Sequence, residues 1–359
     1  MLRQCNVVRT SVLLAVIVAG SATPALADYA KYGDGMQVVA SGTVVNGGLD
    51  IQSSGYWLNS GAAITSSSQT YTLNGSFSGR SCDSVVAARL VLTLWGANAS
   101  NTAQVDVSIN GGSLASLTIG GDGLNGSTAD ANPAFSANQA NVYGGGSGVW
   151  LVSIPIADTS VLKTTDSNND FSVTITPQYQ GGSVPFDGRV NQVSLIEVYQ
   201  KASLNNTFQY AIAEGTGDIY KATSGGAAFR TVDLGSVSTA GLQSATLHAL
   251  YTYGDSGQND RLYFDGVQLG GNDVANHQDG NTALNFVPDL VRFDVTGNLL
   301  SINSVRFSVD ANDGIPGTLE TSLRPSLAVL EVTSVPEPVT LGLLAIGALG
   351  VLRGGRKQG

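Results

Sequence analysis

The chain has 359 residues, of which 42% are hydrophobic and only 12% charged, and its formal net charge is −10. The two terminal stretches hold five of the 17 basic residues and one of the 27 acids, which leaves the body between them at −14. That balance excludes a nucleic-acid or anionic-membrane binder, because phosphate contacts need clustered Lys and Arg.

There are 45 glycines, and aspartates outnumber glutamates by 22 to 5. Asp, Asn, Gly and Ser supply turns, whereas Glu and Lys populate helix surfaces, so the composition predicts an all-β body. Residues 28–335 are ample for a buried core and exceed the usual size of one sandwich. Apart from Cys5 near the N-terminus, the sole cysteine is Cys82. A body with one thiol has no internal disulfide and must hold itself by packing or by ions; Cys82 is either buried and unpaired or paired between molecules.

From the N-terminus, Arg3 and Arg9 precede an apolar run, Val12–Ala19, and then Ala25-Leu26-Ala27. A basic n-region, an apolar h-region and an A-x-A site predict a signal peptide over 1–27, handled by the Sec translocon and signal peptidase and cut after Ala27. Cys5 lies in the discarded piece. Residues 28–84 are rich in Ser, Gly and Thr, with short strand-like pieces such as Thr43-Val44-Val45 and Tyr71-Thr72-Leu73.

The pattern then sharpens. Ala88–Gly96 reads as a buried strand, and Val105, Val107 and Ile109 alternate with polar residues before Asn110-Gly111, a primed hairpin turn. Val149–Ile156, Phe171–Ile175 and Val193–Tyr199 complete a set. The same order returns at Ala245–Gly254, Leu262–Gly266, Leu290–Val295, Phe307–Val309 and Val329–Val332. Five ordered matches predict a duplication, hence two tandem β-sandwich or jelly-roll modules over 28–203 and 204–334. The alternative is one larger sandwich with interleaved halves. The modules resemble uncharacterised repeat β-sandwich domains of archaeal and bacterial surface proteins in their strand order and in the shared apolar-apolar-Glu-Val ending.

The chain closes, over 335–359, on Pro336-Glu337-Pro338, an apolar run from Val339 to Leu352, and a tail with Arg353, Arg356 and Lys357. The prolines stop the preceding strand. As a helix the run would be roughly 21 Å long, short for a hydrocarbon core of about 30 Å, which suits a transmembrane segment held transiently in the inner membrane. The basic residues belong on the cytoplasmic side. This three-part stretch resembles the PEP-CTERM sorting signal, although Gly354 and Gly355 dilute its basic block. The resemblance implies processing by an exosortase-type enzyme, a Gram-negative-type envelope, and a link with exopolysaccharide and biofilm. A plain C-terminal membrane anchor is the alternative.

Several motifs carry candidate chemistry. Gly254-Asp255-Ser256-Gly257 spells a serine-protease tetrapeptide, but the body offers only His248 and His277 as a base, and a polar turn is the simpler reading. Gly144–Gly148 lacks the spacing and the following helix of a phosphate cradle. Asp166, Asn168 and Asp170 stand at positions 1, 3 and 5 of a calcium-type loop, but Phe171 and Pro177 replace the Gly and Glu of an EF-hand. Asp310, Asn312 and Asp313 form a second such cluster, and Asn272, Asp273 and Asp279 a third; calcium there would brace the fold.

Glu197 and Glu331 fall at matching strand positions. A glycosidase needs two carboxylates facing one cleft, one with a raised pKa, so a single acid per module predicts a structural or edge-solubilising role. Trp95 and Trp150 read as core. Tyr251 and Tyr253 are weaker candidates for stacking on a sugar ring than Tyr56 and Trp57, which sit in a polar stretch. The expectation is an exported, non-enzymatic surface or matrix protein; the alternative is a carbohydrate-binding adhesin or lectin, braced by calcium.

Overall fold

The computed structural model describes residues 29–30, 36–54, 70–95, 102–119, 141–144, 149–178, 189–215, 219–220, 229–253, 259–275, 289–309 and 322–335. The signal-peptide residues Ala25 and Ala27, the aromatic pair Tyr56 and Trp57, Ser256, His277, Asp279, the cluster of Asp310, Asn312 and Asp313, and the sorting residues 336–359 lie outside these. Among the described residues there is no α-helix, only three short 3-10 turns, and no helix long and apolar enough to cross a membrane.

The described residues form antiparallel strands in four sheets, apart from one short parallel pair at a sheet edge. In chain order the first set is β1 (Tyr29–Ala30), β2 (Gln37–Val45), β3 (Gly47–Ser54), β4 (Tyr71–Phe77), β5 (Ser84–Trp95), β6 (Thr102–Ile109) and β7 (Gly112–Ile119). Then come β8 (Asn141–Gly144), β9 (Val149–Pro155), β10 (Asn169–Gln178) and β11 (Arg189–Gln200). The second half holds β12 (Thr207–Glu214), β13 (Ile219–Tyr220), β14 (Phe229–Ser236), β15 (Leu242–Tyr253), β16 (Arg261–Phe264), β17 (Val267–Leu269), β18 (Asp289–Asp294), β19 (Ile302–Ser308) and β20 (Ser322–Ser334).

Strand order exposes the duplication. One sheet runs β1-β8-β9-β5-β11-β3 and faces β4-β10-β6-β7; the other pair is β18-β15-β20-β12-β2, with β13 beside β20, facing β14-β19-β16-β17. Replacing β3, β4, β5, β6, β7, β9, β10 and β11 by β12, β14, β15, β16, β17, β18, β19 and β20 turns the first arrangement into the second. The five expected sequence matches fall on five of these correspondences.

The likeness extends to single hydrogen bonds. Asn110 and Asp265 open the two hairpin turns at φ 49° and 48°, each followed by a glycine at φ 80° or 82°, the left-handed pair that a primed turn requires. Asn110 donates its backbone N–H to the Asp170 carbonyl (2.7 Å) and accepts the Asp170 N–H on its side chain (2.9 Å). Asp265 does the same with Ser304, at 3.0 and 2.7 Å.

Each sheet pair closes on its own core. In β10 buried and less buried residues alternate, sending Phe171, Val173 and Ile175 inward with Val105, Val107 and Ile109 of β6. Leu90, Leu92, Trp150 and Leu195 meet them from the opposite sheet. A second core gathers Leu247, Tyr251, Phe264, Phe307 and Leu330. A third apolar layer lies between the halves, where Ile51, Val91, Leu151 and Ile196 are clustered with Ile212, Leu250, Leu327 and Val329. The two larger sheets are therefore covered on both faces. Hence β5 and β20 read as continuous apolar runs, Leu90-Val91-Leu92 and Leu327–Leu330, rather than alternating ones.

The start of the body is shared between the halves. β2 hydrogen-bonds to β12, whereas β3, one residue later, hydrogen-bonds to β11. Residues 28–203 thus do not form one module: β2 completes a sheet of the second. The corner between them, Asn46 at φ 56°, donates to the Asn206 carbonyl (2.7 Å) and accepts from Lys201 N–H (2.8 Å). Gly47 is required there, since a Cβ would sit 2.7 Å from Val44 Cβ and 2.9 Å from Phe208 Cβ.

Candidate functional site

A cleft of about 560 Å³ opens at the rim of the first sandwich, where the end of β11, the β3 edge strand and the segment after β4 meet. Along β11 the inward positions run Val193, Leu195, Glu197, Tyr199, and alternation places Asp50 and Gln52 of β3 on the same face. Glu197 stands directly opposite Asp50, and Leu195 opposite Gln52. The row changes from apolar to polar where the facing sheet gives way to the loop Ser78–Ser81.

Arg80 organises this end. Its Nη2 lies 2.5 Å from Asp50 Oδ1, its Nη1 donates to the Tyr199 hydroxyl (3.0 Å), and its guanidinium carbon lies 4.7 Å from the Tyr199 ring centroid. Gln52 donates to Asp50 Oδ2 (2.6 Å), while its amide pairs with the backbone of Ser78 in both directions, at 2.8 and 2.9 Å. Gly48 leaves room for the tyrosine, since a Cβ there would lie 2.5 Å from its hydroxyl. Lys201, Ser203 and Asp166 complete the rim.

Beneath Asp50 and Arg80 lies Glu197, 3% exposed, with Oε1 unpartnered. Burial pushes its pKa up to about 7, the Asp50 charge adds to this, and Arg80 opposes it. The Cys82 thiol is also raised, first by burial and then by Glu197; half-buried against the core, it is the free cysteine among the described residues.

This placement corrects two expectations for the glutamates. Glu197 does not solubilise an edge, being buried on a strand with neighbours on both sides. Nor are Glu197 and Glu331 equivalent: Glu197 follows Leu195 on the inner face of its sheet. Glu331 instead shares the outer face with Leu327 and Val329, 3.5 Å from His248 Nε2. The matched four-residue endings are out of step by an odd number of positions, which reverses the facing of every side chain. What the sequence reading missed is that the second carboxylate comes from β3, not from the other module.

Asp166, Asn168 and Asp170 lie at the entry to β10. All three are exposed, the Lys163 ammonium donates to the Asn168 carbonyl (2.6 Å), and the same ammonium lies 3.6 Å from Asp170. Among the described residues no group of three His, Cys, Asp or Glu side chains is placed to hold a metal. Asn272 and Asp273 sit in a turn tied down by Asp260, whose N–H donates to the Asn272 carbonyl (2.9 Å). Trp150 is fully buried, as expected of core, and Tyr251 is buried edge-on to Phe307, out of reach of a ligand.

A second polar cluster lies at the joint. Arg89 of β5 meets Glu214 of β12, with Ser153 of β9 donating to the same carboxylate (2.5 Å). Arg292 Nη2 donates to the Ile51 carbonyl across the same joint (2.9 Å). The Arg89 and Glu214 charges satisfy each other, so this cluster fastens the halves and leaves nothing for a ligand.

Comparison with known proteins adds a family and little chemistry. No curated protein matches the sequence. Among solved structures, the ectodomain of ANX1 from Arabidopsis thaliana is similar at 12% identity, covering 75% of this chain and 84% of its own, with a TM-score of 0.24. The ANX2 ectodomain from the same plant covers 73% and 81% at 10% identity and 0.24, and PNGF-II covers 80% and 65% at 11% identity and 0.25. These likenesses are too slight to bear on function. The model of the family DUF3344, described as a protein of unknown function, matches residues 31–333, from just after β1 to the penultimate residue of β20. The chain belongs to the DUF3344 family.

Proposed function

We propose that the protein is exported and sorted to the cell surface or extracellular matrix, where it serves as a non-enzymatic display or coat component. The observation that carries this reading is the ordered address at the C-terminus: Pro336-Glu337-Pro338, the apolar run, then Arg353, Arg356 and Lys357. It is matched by Ala25-Leu26-Ala27 at the other end. The fold supports the reading, because β1 begins at Tyr29 and β20 ends at Ser334. Cutting at either address removes no strand of the described residues. The processing partners are signal peptidase and an exosortase-type enzyme, with exopolysaccharide as the surrounding material.

The test is mass spectrometry of the protein from its native host. A mature chain beginning at Asp28 and ending near Pro336 in the extracellular fraction is the expected result. An intact C-terminal peptide in the cytosol overturns it.

A second reading, a carbohydrate-binding adhesin, is favoured by the cleft beside Arg80. A pocket of this size lined by groups of both charges is a place to bind something, and the packing of the sandwich does not call for it.

A further inference from the structure

The polar row beneath the cleft is out of place if stability alone shaped it. Aliphatic residues at 50 and 197 would extend the core to the rim, as Val193 and Leu195 do further along the same face. Instead Glu197 is buried with an unpartnered oxygen, and Arg80 Nε is also buried and unpartnered. Such groups cost free energy, and of the two Arg80 lines the cleft, where a bound ligand or water can recover part of it.

The lining selects among ligand classes. Phosphate or nucleic acid would need an excess of positive charge, but the lining sets two cations, Arg80 and Lys201, against two acids, Asp50 and Asp166, with Arg80 matched by Asp50 at 2.5 Å. A divalent cation would need an all-oxygen cage, and the guanidinium occupies that place. An apolar ligand would find one aliphatic side chain, Leu204, among Ser78, Ser81, Ser203 and four charged groups. What remains is a dense set of donors (Arg80, Lys201) and acceptors (Asp50, Asp166) among hydroxyls, and it suits a neutral ligand whose own groups both donate and accept. Its volume of about 560 Å³ lies in the range of about 300–1,000 Å³ usual for small-molecule sites.

We propose that this cleft is a saccharide-binding site, in which Lys201 and Asp166 bind ring hydroxyls at the rim and Arg80, held by Asp50 and Tyr199, binds them at the floor. The proposal rests on the second reading above and gives it residues other than the Tyr56 and Trp57 expected from the sequence.

The experiment is saturation-transfer NMR on the full-length protein with a panel of neutral mono- and disaccharides, on wild type and on Lys201→Ala, Asp166→Ala and Trp57→Ala. Positions 166 and 201 lie at the surface, so unchanged thermal unfolding certifies these variants as folded. The expected result is transfer to ring protons in wild type and a loss of about fivefold or more in affinity for each cleft variant. Binding that survives both cleft variants but is lost in Trp57→Ala overturns the cleft and leaves the adhesin reading intact. No transfer from any saccharide overturns both.

Discussion

Arg89 and Glu214 form a two-point ion pair between the halves of the molecule, with Nε 2.5 Å from Oε1 and Nη2 3.1 Å from Oε2. Arg89 comes from the first module's larger sheet, Glu214 from the second's, and neither is exposed to a useful degree. Ser153 hydrogen-bonds to both partners. A charge pair at this depth does little for net stability but penalises any other arrangement of the two sheets.

Removing one partner should therefore be far worse than removing both. Glu214→Gln or Arg89→Met is expected to cost about 3–5 kcal/mol, while the double replacement Arg89→Met with Glu214→Leu falls within about 1–2 kcal/mol of wild type. Urea unfolding of the three variants checks this. Additive losses would mean that the pair is not coupled.

Glu197 sets a pH dependence of the opposite sense to most carboxylates. Its pKa in the folded protein is raised to about 7 from the usual carboxylate value, so the native state holds a proton that the unfolded chain has released. Stability is then lost as pH rises through that interval, by up to about 3 kcal/mol from this group. Glu197→Gln should remove that slope and be the more stable protein at pH 8. Denaturation midpoints of the two proteins from pH 4 to 8 give the comparison; parallel curves would sink it.

Gly79 joins the strand end to the cleft wall without room for a side chain. A Cβ there would overlap the carbonyl oxygen of Ser167 and lie 2.5 Å from the Asp166 carbonyl carbon. Because those atoms are backbone, the loop itself must move. Gly79→Ala is expected to destabilise the fold by about 1–3 kcal/mol and to weaken any ligand of the cleft along with it. Thermal unfolding and ligand titration of the same sample check both parts.

Cys82 should be a slow thiol. Half-buried, and raised by burial and by Glu197, it has little thiolate at neutral pH. Alkylation in the native protein at pH 8 is expected to be at least about tenfold slower than in the unfolded chain, and Glu197→Gln should speed it. A rate equal to the unfolded one would place the thiol in the open.

By itself the sequence determined the all-β class of the fold and the places of its best-patterned strands. Those properties are local: alternation marks β6 and β10, unbroken apolar runs mark β5 and β20, and Asn110-Gly111 and Asp265-Gly266 each specify a turn from two residues. Only the tertiary structure decided which sheet each strand joins and which way its side chains face. Nothing in Gln37–Val45 says that it pairs with β12 while its neighbour β3 pairs with β11, because a strand's hydrogen-bonding edge is generic and its partner is chosen by packing elsewhere. The same holds for the glutamates. Glu197 and Glu331 look alike in their four-residue contexts, yet an odd step in register turns one towards Asp50 and the cleft and the other towards His248 and the joint, since a side chain's face is set by a partner strand more than a hundred residues away.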